Sequence, residues 1–116
     1  MVVQDEPAFE LATVAACMNG WFYFLLHDLQ QWLTDKGLPT AEARALVLGN
    51  MQDCVTCAQH QPASTLKALG QAIATPGTFT ADGLAVLMHQ PASASWGAAC
   101  EVVLDALLTR SGLPGR

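Results

Sequence analysis

The sequence predicts an all-α domain of about five helices. Apolar residues recur at spacings of three and four in several segments, and N-cap residues, prolines and glycines separate those segments. No run alternates apolar and polar residues in the way that predicts a strand. The 116 residues amount to one domain by length, and 52% hydrophobic against 13% charged residues is an apolar balance for that size. We therefore expect the chain to bury part of its surface in an oligomer.

The first predicted helix runs from about residue 8 to residue 36, after a lead-in at residues 1–7. Its second half is amphipathic, whereas the stretch Leu11 to Tyr23 is apolar on every side. A helix without a polar face must be covered all round, which in a small domain predicts contact with another subunit or domain. Gly37 suits the C′ position of this helix, and Pro39 stops it.

The apolar stretch from Leu11 to Leu26 is shorter than the about 20 residues that a membrane-spanning helix needs. Acidic residues precede it, where a secretory signal carries positive charge. We therefore predict a helix covered by protein, no membrane partner and a cytoplasmic location.

Two further helices follow before residue 74. Thr40 is predicted to cap the second helix, which runs to about Ala58. Gly49 inside it is interpreted as permitting a close helix crossing. The third helix is predicted to begin at Ser64 and to end near Ile73.

A Pro-Gly loop comes next. Pro76 fixes its own φ and Gly77 permits a positive φ, so the chain can turn sharply and expose backbone N–H groups. Thr80 is a good N-cap for a fourth helix that ends near His89, and the N-terminus of that helix favours a carboxylate or phosphate. The same residues also suit an ordinary capped connection between helices, so both interpretations stay open.

The last predicted helix begins near Ser93 or Ser95 and ends near Arg110. Its apolar face holds six residues, Trp96, Ala99, Cys100, Val103, Leu104 and Leu107. The helical domain thus spans residues 8–110, and residues 111–116 are predicted to be a flexible tail.

Charge and cysteine content argue against nucleic acid and a metal ion as partners. The net charge is −5 and the five basic residues are scattered, which argues against nucleic acid. The four cysteines are expected to be reduced core residues. Cys54 and Cys57 with His60 share one helix face, but no second ligand pair accompanies them, so we predict no metal.

The loop Thr75-Pro76-Gly77-Thr78-Phe79-Thr80 resembles the Ser-Pro-Gly-Gly-x-Thr loop of the pyrroline-5-carboxylate reductase family. Phe9-Glu10 and Gly37-Leu38-Pro39 agree with that family in order and spacing, so the resemblance spans about residues 9 to 110. It implies a C-terminal dimerisation domain like that of 6-phosphogluconate dehydrogenase-type proteins. It further implies a homodimer whose loop contacts the carboxylate and ring nitrogen of a cyclic imine substrate.

The resemblance also implies roles for loop residues. Thr75 stands where the family has the loop serine, and Gly77 matches its first glycine. Thr80 matches the threonine near the imine nitrogen, and we assign it substrate positioning first and proton relay second. Thr78 replaces the second glycine and places a side chain on the substrate side.

A second departure lies in the first helix, where the family carries Ser-Gly-Ser-Gly-Pro-Ala-Tyr and this chain has the bulkier segment Ala16 to Phe22. Asn19 in that segment is either a satisfied core polar group or a substrate contact. We therefore expect a divergent family member, and whether its substrate is that of proline biosynthesis stays open.

The resemblance implies NAD(P)H as the reductant, yet the chain holds no Gly-x-Gly-x-x-Gly motif. We expect a Rossmann domain outside this chain to bind most of the cofactor, and we expect the chain alone to be inactive. Our explanation for the missing motif is that the Rossmann domain lies upstream of Met1 in the intact protein. The alternative function is a non-catalytic homodimeric scaffold or small-carboxylate-binding module. A metal or redox protein built on Cys54 and Cys57 is the third hypothesis.

Overall fold

The computed structural model describes residues 6–89 and 92–110. These residues form five α-helices and no strand: α1 (Glu6–Asp35), α2 (Thr40–His60), α3 (Leu66–Ile73), α4 (Phe79–His89) and α5 (Ala92–Arg110). The predicted all-α class is confirmed. Residues 1–5 of the predicted lead-in and the predicted tail at 111–116 lie outside the described residues.

The helices belong to two compact units. In one unit, α1 up to Phe24 lies with α5, and the other unit holds residues 25–90. The rings of Trp21 and Trp96 meet edge to face in the first unit, with centroids 6.0 Å apart. Phe22 lies 5.7 Å from the same Trp96 ring. Aromatic contacts thus join α1 to α5.

The C-terminus of α1 closes in a Schellman motif. The amide of Leu38 donates to the carbonyl of Leu33 at 3.1 Å, and that of Gly37 donates to the carbonyl of Thr34 at 3.0 Å. Gly37 has φ +116°, a conformation that residues with a Cβ rarely adopt. The predicted C′ role of Gly37 is confirmed.

Gly37→Ala should therefore lower the free energy of unfolding by about 1–2 kcal/mol, because alanine is strained at a positive φ. Gly49→Ala is the matched control, since Gly49 lies inside α2 and a Cβ there meets nothing within 4 Å. That control should raise the free energy of unfolding by up to about 1 kcal/mol, because alanine has a higher helix propensity than glycine. Urea denaturation at one protein concentration measures both, and equal effects of the two variants would contradict the assignment.

The predicted cap of α2 and the predicted start of α3 are both wrong. Thr40 is the first residue of α2 and not its cap, because Pro39 occupies the N-cap position without a side-chain hydrogen bond. The third helix begins at Leu66, two residues after the predicted start at Ser64. Thr65 caps it, since its Oγ1 accepts from the amide of Ala68 at 3.0 Å. A threonine or serine beside a helix start is thus a weaker guide than the geometry of the turn before it.

Two further details of the helices differ from the predictions. Gly49 permits no close crossing within the chain, because a Cβ added at this position would meet nothing within 4 Å. The predicted start of α5 near Ser93 or Ser95 is also wrong, since this helix already begins at Ala92.

Few side chains are buried within the described part of the chain. Val14 and Ala43 are 4% and 0% exposed, and Glu10 is 6% exposed. On α1, several large apolar side chains are more than half exposed, among them Phe9, Leu11, Tyr23 and Phe24. The chain itself therefore does not bury the apolar side chains of α1, which were predicted to be in contact with protein on every side of the helix.

By length and composition, the part of α1 from Ala8 to Asp35 could cross a membrane. Core helices of soluble proteins pass the same test, and so do signal sequences near an N-terminus. The length of the apolar stretch Leu11 to Leu26 is therefore no argument against a membrane span, and the absence of a membrane partner stays a prediction. Length and composition do not decide between a protein partner and a bilayer.

Candidate functional site

The loop between α3 and α4 is a type II β-turn. The amide of Thr78 donates to the carbonyl of Thr75 at 3.2 Å, with Pro76 and Gly77 at the two central positions. Gly77 has φ +89°, which the second central position of this turn requires. The sharp turn predicted from Pro76 and Gly77 is confirmed.

Thr78 is the residue that caps α4. Its Oγ1 donates to the carbonyl of Thr75 at 2.7 Å and accepts from the amide of Ala81 at 3.1 Å. The helix begins at Phe79, so Thr80 is its second residue and the predicted capping role of Thr80 is wrong. The turn ends at Thr78, which leaves this residue in the flanking, non-helical position where a cap acts. No described residue other than glycine has a positive φ, so threonine fits here without strain.

Two backbone amides at the start of α4 remain available. Thr78 satisfies the amide of Ala81 through its hydroxyl and that of Asp82 through its carbonyl, at 3.2 Å. The amides of Phe79 and Thr80 have no hydrogen-bond partner in the described part of the chain. They lie at the positive end of the helix dipole, which favours an anion. The carboxylate of Asp82 in the same first turn opposes this preference.

Thr80 also lines an open groove of about 990 Å³ between α3 and α4. The groove is mostly apolar, and three polar side chains face it, those of Lys67, Gln71 and Thr80. Phe79 stands at the loop end of this groove and is 95% exposed. Sequence reasoning missed this groove, although Gly70, Ala74 and Gly83 at its lining are small residues that leave room between two helices.

The turn brings four of the predicted site residues together, Thr75, Gly77, Thr78 and Thr80. Thr75 contributes its carbonyl, which accepts both hydrogen bonds from Thr78. Asn19 lies on α1 in the other unit and is exposed, so its interpretation as a buried core polar group is wrong. Its role as a substrate contact stays a prediction.

The cysteines differ from the expected core residues. All four are free thiols, and Cys54 and Cys57 are exposed, whereas Cys17 and Cys100 are half-buried. The side-chain amide of Gln61 donates to the sulfur of Cys57 at 3.2 Å. Among the described residues, no group of three or more histidine, cysteine and acidic side chains is placed to hold a metal ion.

Thr78→Val should destabilise the protein by about 1 kcal/mol, the usual cost of losing an N-cap hydroxyl. Thr78→Ser keeps the hydroxyl and should stay within about 0.5 kcal/mol of the parent. Chemical denaturation of the two variants at equal concentration tests this. Equal stability of the valine variant and the parent would show that the hydrogen bonds of Thr78 do not hold the loop.

The fold and the loop together define a class of protein. Five helices with large uncovered apolar surfaces characterise a helical association domain, and its capped turn leaves two backbone amides without a partner in the described part of the chain. Comparison with protein-family models matches residues 8–107 to the family of pyrroline-5-carboxylate reductase dimerisation domains. The match covers most of the chain, and the chain belongs to this family. Comparisons with curated proteins and with solved structures gave no match.

The family resemblance inferred from the loop is thereby confirmed, and this chain is the dimerisation domain of a pyrroline-5-carboxylate reductase-like protein. The roles carried over to Thr75, Gly77, Thr78, Thr80 and Asn19 stay predictions.

Proposed function

We propose that this chain is the dimerisation and substrate-side domain of a cytoplasmic, NAD(P)H-dependent imine reductase related to pyrroline-5-carboxylate reductase. One observation carries the proposal. The free amides of Phe79 and Thr80 and the hydroxyl of the exposed Thr80 occur together in the loop that resembles this family's Ser-Pro-Gly-Gly-x-Thr motif, within the matched residues 8–107. A small molecule with both a carboxylate and an imine nitrogen is bound well where amide donors for the carboxylate lie beside a hydroxyl for the nitrogen.

In this proposal, the loop binds and orients the substrate. The amides of Phe79 and Thr80 donate hydrogen bonds to the carboxylate, and the helix dipole adds to that attraction. The Thr80 hydroxyl holds the imine nitrogen, or a water beside it, in position for protonation. An aliphatic hydroxyl is too weak an acid to protonate the nitrogen alone, so positioning is its principal role.

The described residues do not fit a Rossmann-type nucleotide site, because they form no strand and hold no Gly-rich loop between a strand and a helix. In the proposed enzyme, NAD(P)H is therefore bound mainly by a domain outside this chain. The contribution of this chain is confined to substrate binding, orientation and association.

The proposed assembly is a homodimer formed through apolar helices. Phe9, Leu11, Tyr23 and Phe24 leave α1 with large exposed apolar surface, and exposed patches of this kind mark interfaces. A second copy suits this surface better than a bilayer does, because the family is one of dimerisation domains and because α1 carries Glu10 and Asp28.

The alternative function is a non-catalytic scaffold or a small-carboxylate-binding module. It is favoured by Thr78, whose side chain fills the position of the family's second glycine, and by the bulky segment Ala16 to Phe22. Thermal unfolding separates the two forms of this alternative, because a ligand at 100 times its dissociation constant stabilises by about 2.7 kcal/mol. Proline at millimolar concentration should raise the melting temperature of a carboxylate-binding module and leave that of a scaffold unchanged.

The test of the enzymatic proposal is hydride transfer by the protein encoded by the full reading frame. Oxidation of NADPH and of NADH is followed by absorbance with pyrroline-5-carboxylate and several other cyclic imines. We expect substrate-dependent turnover with at least one of them. Bound cofactor without turnover on any imine would instead support the non-catalytic alternative.

A further inference from the structure

We propose that a second copy of this chain covers the groove between α3 and α4, and that Phe79 of each copy inserts into the groove of the other. This face is then part of the interface between copies, in addition to the exposed surface of α1. The inference rests on the homodimer of the proposed function, because it takes a second copy as the occupant of the groove. It does not depend on imine reduction.

The groove and a side chain that can fill such a groove lie on one patch of the surface. Phe79 lies at the loop end of the groove and is 95% exposed. In a two-fold dimer the same patch meets itself, so a patch with both an exposed ring and an apolar recess can satisfy both at once. Gly70 and Gly83 in the lining let another chain approach closely, since a Cβ at either position meets nothing within 4 Å.

The exposed apolar area of the α3–α4 hairpin, residues 66–89, matches what a stable dimer needs. Fully burying one large apolar side chain removes on the order of 100 Å² of apolar surface from water, so six largely exposed ones offer roughly 500 Å². An interface of standard size takes about 800 Å² from each partner, of which about 500 Å² is apolar. The hairpin therefore supplies one side of such an interface. Its six side chains that are at least 62% exposed are Leu66, Ile73, Phe79, Val86, Leu87 and Met88.

Charge also favours this face as a contact between identical chains. The chain carries a net charge of −5, so two copies repel each other wherever their acidic side chains meet. Among the described residues, the groove lining contains no acidic side chain, and its one charged residue is Lys67. Two linings therefore come together without opposing carboxylates. A second copy is the occupant that the family favours, because the family is one of dimerisation domains.

The first test is the dissociation constant of the full-length dimer, measured by sedimentation equilibrium without substrate or cofactor. Phe79→Glu should raise this constant at least a hundredfold, because a carboxylate then enters an apolar groove. The chain itself should stay folded, since Phe79 is exposed and an acidic residue in the first turn of a helix is favourable. Ala85→Glu is the matched control, because it places the same charge on an exposed residue of α4 outside the groove lining. For this control the constant should stay within threefold of the parent.

Photo-cross-linking tests the inserted ring directly. A benzophenone amino acid replaces Phe79 in the full-length protein, and isotope-labelled and unlabelled copies are mixed before irradiation. We expect cross-links of mixed isotope composition between position 79 of one copy and residues 67–88 of the other. The same amino acid in place of Ala85 should give no cross-link to that segment of a second copy.

The outcomes separate this inference from the proposed function. A dimer that Phe79→Glu and Ala85→Glu weaken equally, or not at all, would overturn the inference and leave the proposed homodimer standing. Cross-links from position 79 that are absent, stay within one copy or reach another segment of the second copy would overturn it in the same way. A parent protein that remains a monomer at high concentration would contradict the proposed homodimer, and the inference would fail with it.

Discussion

Phe24→Glu is expected to convert the dimer into monomers at micromolar concentration. Phe24 is 73% exposed on α1, so the substitution removes little packing within the chain. In the proposed dimer it buries an unpaired carboxylate at an apolar interface, which costs several kcal/mol. We expect the dissociation constant to rise by about a thousandfold, which corresponds to about 4 kcal/mol.

Sedimentation equilibrium in detergent-free buffer measures this effect, with helix content by circular dichroism as the check on folding. Gln59→Glu is the matched control, because Gln59 is an exposed polar residue on α2, outside the proposed α1 interface, and receives the same charge. That control should remain dimeric. A dimeric Phe24→Glu variant would place the interface elsewhere, and a parent protein that stays in solution only with detergent would favour a bilayer as the partner of α1.

Thr80→Ala is expected to lower kcat/KM of the proposed full-length reductase by about 10- to 100-fold. A hydrogen bond to a charged group contributes about 1.5–3 kcal/mol, and each 1.36 kcal/mol is a factor of ten in rate. Thr80 is exposed and makes no side-chain hydrogen bond in the described part of the chain, so the variant should lose little stability. Its hydroxyl is free to act on a substrate.

The assay is steady-state NADPH oxidation, with unfolding curves recorded beside it. Thr80→Ser keeps a hydroxyl and should retain activity within about threefold of the parent. Thr56→Ala removes an exposed threonine hydroxyl from α2 and should leave the rate unchanged. Full activity in Thr80→Ala would rule out a role for this hydroxyl in positioning or in proton relay.

The turn at Pro76 and Gly77 was predictable because its cause is local. Proline fixes one φ and glycine permits the positive φ that a type II turn requires, whatever the rest of the chain does. The cap was not predictable in the same way, because Thr75, Thr78 and Thr80 are all suitable residues. The choice depends on where the turn ends, and this put the cap two residues before Thr80.

Exposure is where sequence reasoning failed. Cys54 and Cys57 were expected to be core residues, and a core position was one of the two interpretations of Asn19, yet all three are exposed in this chain. Periodicity shows which residues share a face of a helix but not whether another element packs on that face. An association domain leaves such faces for a partner, which makes the error systematic here.

The sequence by itself determined the five helices, the glycine-terminated end of α1, the Pro-Gly turn and the family, because helix periodicity, φ preferences and a short motif act over a few neighbouring residues. Only the tertiary structure decided that Thr78 caps α4 and that Thr80 faces a groove. It also decided that the apolar side chains of α1 stay uncovered. The groove and the uncovered apolar faces depend on which helices lie side by side. The cap depends on where the turn at Pro76 and Gly77 ends, a choice that three suitable threonines left open in the sequence.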